Sequence, residues 1–304
     1  MLLSEENITL ERISHPAVQG INLFVLRLDK IHPTISGNKY FKLKYNLEEA
    51  KQENKKTLLT FGGAYSNHIA ATAATGKEFG LKTIGIIRGD ELKHTHQSLT
   101  IARRKNQTLE FAEQCGMQLH FVSREEYRKK ETTDFITSLQ KQFGDFYLLP
   151  EGGTNQLAVK GCSEIISHIN IPFDFICCAA GTGGTLAGIS SSLKESQQAI
   201  GFSALNAPGY HETEVKKWLD HFRMSTVSNF QINDHYHFGG YAKYTPELLQ
   251  FIDDFEKQTT IPLEQVYTGK MMYGIFDLTQ KNFFPQNSTV IAVHTGGLQG
   301  KLKY

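Results

Sequence analysis

Short, almost wholly apolar runs recur along this chain with longer helix-like segments between them. Their spacing of about thirty residues is what a strand–helix–strand crossover needs. TLLTFG at 57–62, TIGIIRG at 83–89, LHFVS at 119–123 and FYLL at 146–149 form one series. They lack the polar–apolar alternation of a half-exposed strand, so each reads as a strand covered on both faces, as in a parallel sheet. The segments 66–79 and 98–115 read as two of the intervening helices. A second series follows, FDFICCAA at 173–180, AIGFSAL at 199–205 and TVIAVHTG at 289–296, and FVLRLD at 24–29 adds a strand near the start. The pattern predicts an α/β protein with two open parallel-sheet domains and flanking helices. The smaller domain is expected at 45–149 and the larger from 1–44 plus 150–304. No low-complexity stretch or linker separates them, so they should pack together and leave a ligand cleft between.

Charge narrows the function. The 304 residues carry 32 basic and 31 acidic side chains, which leaves no broad basic surface for a nucleic acid. The basic cluster Arg128-Lys129-Lys130 is flanked by glutamates and reads as a solvated helix face. The start, Met-Leu-Leu-Ser-Glu-Glu-Asn, does not have the form of a secretory signal. No apolar run is long enough for a membrane span. Of four cysteines, Cys177 and Cys178 are neighbours in an apolar strand, which would point them to opposite faces. Cys178 is read as a buried core thiol rather than a nucleophile. No Cys-x-x-Cys occurs, so the expectation is a reducing, cytoplasmic setting and no structural metal.

Four glycine-bearing loops each follow an expected strand: Gly62-Gly63-Ala64-Tyr65-Ser66-Asn67, Glu151-Gly152-Gly153-Thr154-Asn155, Gly181-Thr182-Gly183-Gly184-Thr185 and His294-Thr295-Gly296-Gly297. Glycine lets backbone N–H groups approach an anion, and a helix start adds a favourable dipole. The third loop fits best, with a helix expected to begin near Thr182. A dinucleotide loop starting at Gly181 would need glycine at 186, where Leu186 stands, and no acidic ribose partner follows in Gly201-Phe202-Ser203-Ala204-Leu205. That disfavours a nicotinamide oxidoreductase. An ATP-binding loop is also missing. What remains is either a plain tight turn of a βα unit or a loop sized for one compact phosphate, and several such loops at strand ends, all able to face one cleft, favour the phosphate. Ser66 suits an N-cap for the following helix, leaving the N–H groups of Asn67 and His68 free for a substrate carboxylate.

Taken in order, Gly37-Asn38-Lys39-Tyr40-Phe41-Lys42-Leu43, Gly62-Gly63-Ala64-Tyr65-Ser66-Asn67-His68, Pro150-Glu151-Gly152-Gly153-Thr154-Asn155, Ala180-Gly181-Thr182-Gly183-Gly184-Thr185, Val266-Tyr267-Thr268-Gly269-Lys270 and His294-Thr295-Gly296-Gly297 resemble one family across nearly the whole chain. It is the fold-type-II (tryptophan synthase β-like) pyridoxal-phosphate enzymes, in the branch that holds 1-aminocyclopropane-1-carboxylate deaminase and D-cysteine desulfhydrase. The resemblance implies pyridoxal 5'-phosphate as cofactor in the cleft, a small amino acid as substrate and a homodimer. It implies Lys39 as the Schiff-base lysine and Asn67 as the partner of the cofactor's phenolic oxygen. Gly181, Thr182, Gly183, Gly184 and Thr185 match the phosphate cup. Ser66 matches a serine that helps move a proton, and Tyr267 and Tyr241 match two active-site tyrosines. Ser66, Asn67, His68, Tyr241 and Tyr267 are thereby the substrate-binding set. Lys42 and Lys44 read as helix-surface residues.

Two positions separate the branches. The deaminases resemble Tyr-Glu-Gly-Lys where this chain has Thr268, and their glutamate approaches the pyridine nitrogen. The desulfhydrases resemble His-Thr-Gly-Gly, and this chain has Thr295 there. A carboxylate beside the ring nitrogen favours its protonation and strengthens the electron sink, and a neutral hydroxyl does so less. The weaker sink suits loss of a good leaving group from Cβ as the α-proton is removed. The expectation is β-elimination of the D-cysteine desulfhydrase kind, giving pyruvate, sulfide and ammonia from D-cysteine. The alternatives are 1-aminocyclopropane-1-carboxylate deamination to 2-oxobutyrate and ammonia, another eliminating, racemising or replacing reaction on the same cofactor, and a non-catalytic protein that binds the cofactor.

Overall fold

The structure, a computed structural model, describes residues 5–91, 106–221 and 229–302. The chain enters through β1 (Leu10–Ile13), β2 (Asn22–Leu26) and α1 (Asn38–Gln52). The first series is β3 (Thr57–Gly62), α2 (Asn67–Phe79), β4 (Lys82–Arg88), α3 (Gln107–Gln114), β5 (Met117–Val122), α4 (Arg124–Arg128), α5 (Thr133–Phe143) and β6 (Tyr147–Leu149). The second is α6 (Gln156–Ser163), β7 (Phe175–Ala180), α7 (Gly184–Ser190), β8 (Gln198–Ser203), α8 (Tyr210–His221), β9 (Phe230–Asn233), α9 (Pro246–Thr259), α10 (Thr268–Gln280) and β10 (Thr289–Val293).

Two sheets result. One has four strands in the order β5-β4-β3-β6, all parallel. The other has six, in the order β1-β2-β10-β7-β8-β9. It is parallel except at one edge, where β1 runs antiparallel to β2 with Leu10 opposite Leu26. The expectation of two parallel sheets therefore holds for every strand the sequence revealed, and two short edge strands, β1 and β9, escaped it. The helix expected over 98–115 is described from Gln107; residues 98–105 lie outside the described residues.

The central strands are buried on both faces, as their composition requires. Along β3, Leu58 packs into one core cluster while Leu59 and Phe61 pack into another. Thr60, the fully buried polar residue in this strand, donates its hydroxyl to Leu149 O at 3.1 Å and so buries no unsatisfied group. Along β7, Cys177 and Cys178 fall in different clusters, one on each side of the sheet. Each large apolar side chain buried this way contributes about 1.5–3 kcal/mol relative to its exposed state. The loops after β3, β6, β7 and β10 all leave the carboxyl ends of parallel strands. That is the edge where open α/β sheets bind ligands.

Candidate active site

Helix α1 starts under pressure. Gly37 has φ +68°, and a Cβ placed on it would lie 1.9 Å from Thr295 O, so only glycine fits. Asn38 N donates to that same carbonyl at 3.3 Å. The first turn of α1 is thus held against the loop after β10, which brings Lys39 and Thr295 into one cleft. Thr295 is nearly buried, and its hydroxyl makes no hydrogen bond among the described residues. The Lys39 ammonium donates to Asn38 Oδ1 at 3.1 Å. Burial, then the charge of Lys42, lowers its pKa to about 7, so an amine is available near neutral pH.

Lys42 is not on the surface. It is 2% exposed, and its ammonium donates to Gly152 O at 3.0 Å, Thr154 Oγ1 at 2.7 Å and Thr182 Oγ1 at 3.2 Å. The reason is helical: three residues after Lys39, Lys42 shares its face, and that face looks into the cleft. Burial lowers its pKa to about 8. All three of its acceptors are neutral, so the fold carries a buried cation with no carboxylate to balance it. Lys44, two residues on and so about half a turn round, keeps to the surface side and pairs with Glu5 at 3.0 Å and Glu164 at 2.6 Å.

Ser66 caps α2, its Oγ accepting from Ile69 N at 3.3 Å. Asn67 and His68, in the first turn, line the cleft with it. His68 is 1% exposed, and among the described residues neither ring nitrogen has a partner. Burial and the charges of Lys39 and Lys42 push its pKa well below the usual value, so the ring stays neutral. Across the cleft, Gly181, Thr182, Gly183 and Thr185 line the wall after β7. The helix there begins at Gly184 rather than near Thr182, because Gly183 takes a left-handed φ of +77° as N-cap. Having no side chain, it leaves the first helical N–H groups uncapped. Gly184 backs the wall instead of lining it, packed against Thr154. The buried ring of His211 bonds the Gly181 carbonyl at 3.0 Å. Thr185 Oγ1 accepts from Asn38 at 2.8 Å, tying this wall to α1.

Tyr267 lines the cleft, and Tyr241 stands one layer out. Their rings are 6.1 Å apart, and Tyr241 donates its hydroxyl to Tyr65 O at 3.2 Å. Burial raises the Tyr267 pKa well above its ordinary value and that of Tyr241 to about 12, so both remain phenols able to give a proton. Thr268 is buried away from the cleft, on Glu264. The Glu264 carboxylate accepts from the N–H groups of Val266, Tyr267 and Thr268 at 2.6, 2.8 and 2.6 Å and caps α10. All of these bonds point into the backbone. Among the described residues no Asp or Glu lines the cleft. Lys270 is also internal, donating to His237 O and Gly240 O at 2.8 Å and fixing the turn before Tyr241.

Sequence reasoning named Lys39, Ser66, Asn67, His68, the 181–185 loop, Tyr267 and Thr295, and the fold gathers them. It missed Lys42, although a lysine at i+3 from Lys39 was a signal. It also missed Thr154, Glu264 and Gln299, which no periodicity marks. The donor set suits a small organic phosphate that bears an aldehyde. Two buried amines, threonine hydroxyls, uncapped N–H groups and an orphaned neutral imidazole face a cleft without carboxylates.

A family model described as pyridoxal-phosphate dependent enzyme matches residues 6–296. The chain is 31% identical over 301 residues to a bifunctional D-cysteine desulfhydrase/1-aminocyclopropane-1-carboxylate deaminase, mitochondrial, of Arabidopsis thaliana, covering 92% of this chain and 73% of that one. It is 24% identical to a D-cysteine desulfhydrase of Serratia proteamaculans, covering 94% of this chain and 89% of the other. Among solved structures, one described as an ACC deaminase homologue superposes with a TM-score of 0.81 at 26% identity, over 97% of this chain and 90% of that chain.

Proposed function

The chain belongs to the pyridoxal-phosphate dependent enzyme family, and on that premise we propose that it eliminates the β-substituent of a small amino acid, as a D-cysteine desulfhydrase does. With D-cysteine and one water the products are pyruvate, sulfide and ammonia. The observation that carries the reading is that, among the described residues, the Thr295 hydroxyl in the cleft makes no hydrogen bond and no carboxylate lines the cleft. Glu264, the buried carboxylate next to Tyr267, is occupied by the start of α10. A neutral group beside the ring nitrogen makes a weaker electron sink, which suits departure of a good leaving group more than ring opening.

When bound, pyridoxal phosphate supplies an aldehyde carbon that holds an amine and a ring that takes up the electron pair left at Cα. The chain's own residues do the rest. Lys42, Thr182, Thr185 and the N–H groups of 181–185 would hold the phosphate. Lys39 would provide the amine, Asn67 would serve the phenolic oxygen and Thr295 the ring nitrogen. The N–H groups of Asn67 and His68 receive the substrate carboxylate at the start of α2. Lys39, once free, takes the α-proton, and Ser66 serves the other face of Cα. Tyr267, held as a phenol, gives its proton to the departing sulfur, with Tyr241 behind it. The double name of the Arabidopsis relative favours a second reading, opening of 1-aminocyclopropane-1-carboxylate to 2-oxobutyrate and ammonia.

A panel of D-cysteine, L-cysteine, chloroalanine, serine and the cyclopropane acid decides between them. Sulfide and pyruvate released from D-cysteine, with little 2-oxobutyrate from the cyclopropane acid, is the expected result. The reverse order overturns elimination, and no turnover on any of them supports a non-catalytic cofactor-binding protein. We also propose division into a smaller domain at 45–149 and a larger one from 1–44 plus 150–304, on the strength of sheet membership. A homodimer in the cytoplasm is part of the same reading. It is supported by the family resemblance and by four free thiols, and light scattering checks the mass.

A further inference from the structure

Asn67 brings to the cleft a side-chain amide with two unlike ends. It can offer either N–H donors or an acceptor oxygen, and which one depends on what holds the other end. Gln299 lies in the short turn Leu298–Gly300 that follows the Thr295 loop. Its Nε2 donates to Asn67 Oδ1 at 2.6 Å. Among the described residues the Asn67 side chain makes no other hydrogen bond. Gly297, with φ +90°, closes against the nitrogen end: a Cβ placed on it would lie 2.4 Å from Asn67 Nδ2. The oxygen is therefore taken by Gln299, and the nitrogen keeps both hydrogens in a space held clear by a glycine.

We propose that Gln299 is a positioning residue that locks the Asn67 amide with its N–H groups, and not its carbonyl, toward the phenolic oxygen of the cofactor. The inference rests on the reading of Asn67 as the residue facing that oxygen. Its chemical consequence concerns one proton, shared between the phenolic oxygen and the nitrogen that joins the cofactor to Lys39. A donor facing the oxygen stabilises its ionised form, leaves the proton on nitrogen and gives the visible-absorbing tautomer. An acceptor facing the oxygen draws the proton onto it and gives the near-ultraviolet tautomer. No atom is gained or lost in the exchange.

Gln299→Glu reverses the lock. At neutral pH a carboxylate has no hydrogen to give, so it bonds Asn67 only by accepting from Nδ2, and the amide must turn. In the holoenzyme the ratio of visible to near-ultraviolet absorbance is expected to fall about 10- to 100-fold, the size of a lost hydrogen bond to a charged oxygen. Gln299→Met releases the lock without reversing it and should lower the ratio by less. Cofactor content and melting temperature establish that each variant is folded and loaded. Asn67→Ala is the control for the underlying reading. If Asn67→Ala shifts the ratio and Gln299→Glu leaves it at the unsubstituted value, Gln299 has no positioning role and the reading of Asn67 stands. If Asn67→Ala also leaves the ratio unchanged, the reading of Asn67 falls and takes the proposal with it.

Discussion

Lys39 and Lys42 sit one helical turn apart in the same buried cleft, yet the fold asks opposite things of them. Lys39 must give up its proton to become a nucleophile, and burial beside a second cation lowers its pKa from 10.5 to about 7. In the folded chain the amine is therefore neutral across the interval from about 7 to 10.5, where an ordinary lysine is charged. Capture of pyridoxal phosphate by the apoprotein should accelerate as pH rises to about 7 and then level off, as followed by stopped-flow absorbance. A midpoint near 10 would sink the argument. Lys42 keeps its proton among three neutral acceptors and waits for an anion. Lys42→Met should weaken cofactor affinity by about 10- to 100-fold, the worth of a charge-assisted hydrogen bond, measured by titration against fluorescence. Lys39 was legible because its neighbours Gly37 and Asn38 belong to a motif. Lys42 was not, because a lysine on a helix is solvated by default and only tertiary packing reveals which face is inside.

Helix α1 delivers both lysines, and its N-cap residue, Gly37, decides where it points. Gly37→Ala would put a methyl where the Thr295 carbonyl already lies and would force a left-handed φ on alanine. We expect a loss of about 2–4 kcal/mol in urea unfolding, together with weaker cofactor binding, since the start of α1 and the Thr295 loop must separate. A variant as stable as the parent would show that this contact is relaxed in solution. The central strands were readable from sequence because they are apolar on both faces. β1 and β9 were not: as sheet edges they are only half-covered, Leu-Glu-Arg-Ile does not alternate, and Phe-Gln-Ile-Asn alternates over four residues alone, the shortest run that can be read as a strand. The start of α7 was placed two residues early, since Gly183 extends the loop by taking a left-handed turn that composition alone does not locate.

At the scale of the whole molecule, the carboxyl ends of strands from two separate sheets meet around one cleft. Ser66 and Asn67 come from the four-stranded side, and Gly181 and Thr295 from the six-stranded side. A ligand held by both sides fastens the sheets to each other. Calorimetry should show the holoenzyme unfolding at higher temperature than the apoprotein. The gain should be about 3–4 kcal/mol when free cofactor exceeds its dissociation constant by about 100- to 1,000-fold. Equal melting of the two forms would mean that the folded chain holds no cofactor in this cleft. The buried ammonium of Lys42 adds a practical corollary. A cationic hole of this shape does not discriminate the phosphate of a vitamin-derived cofactor from the phosphate of a buffer. Apoprotein purified in phosphate should therefore arrive already plugged and reconstitute sluggishly, whereas the same preparation exchanged into a phosphate-free tertiary-amine buffer, which cannot condense with the aldehyde, should take up its cofactor faster.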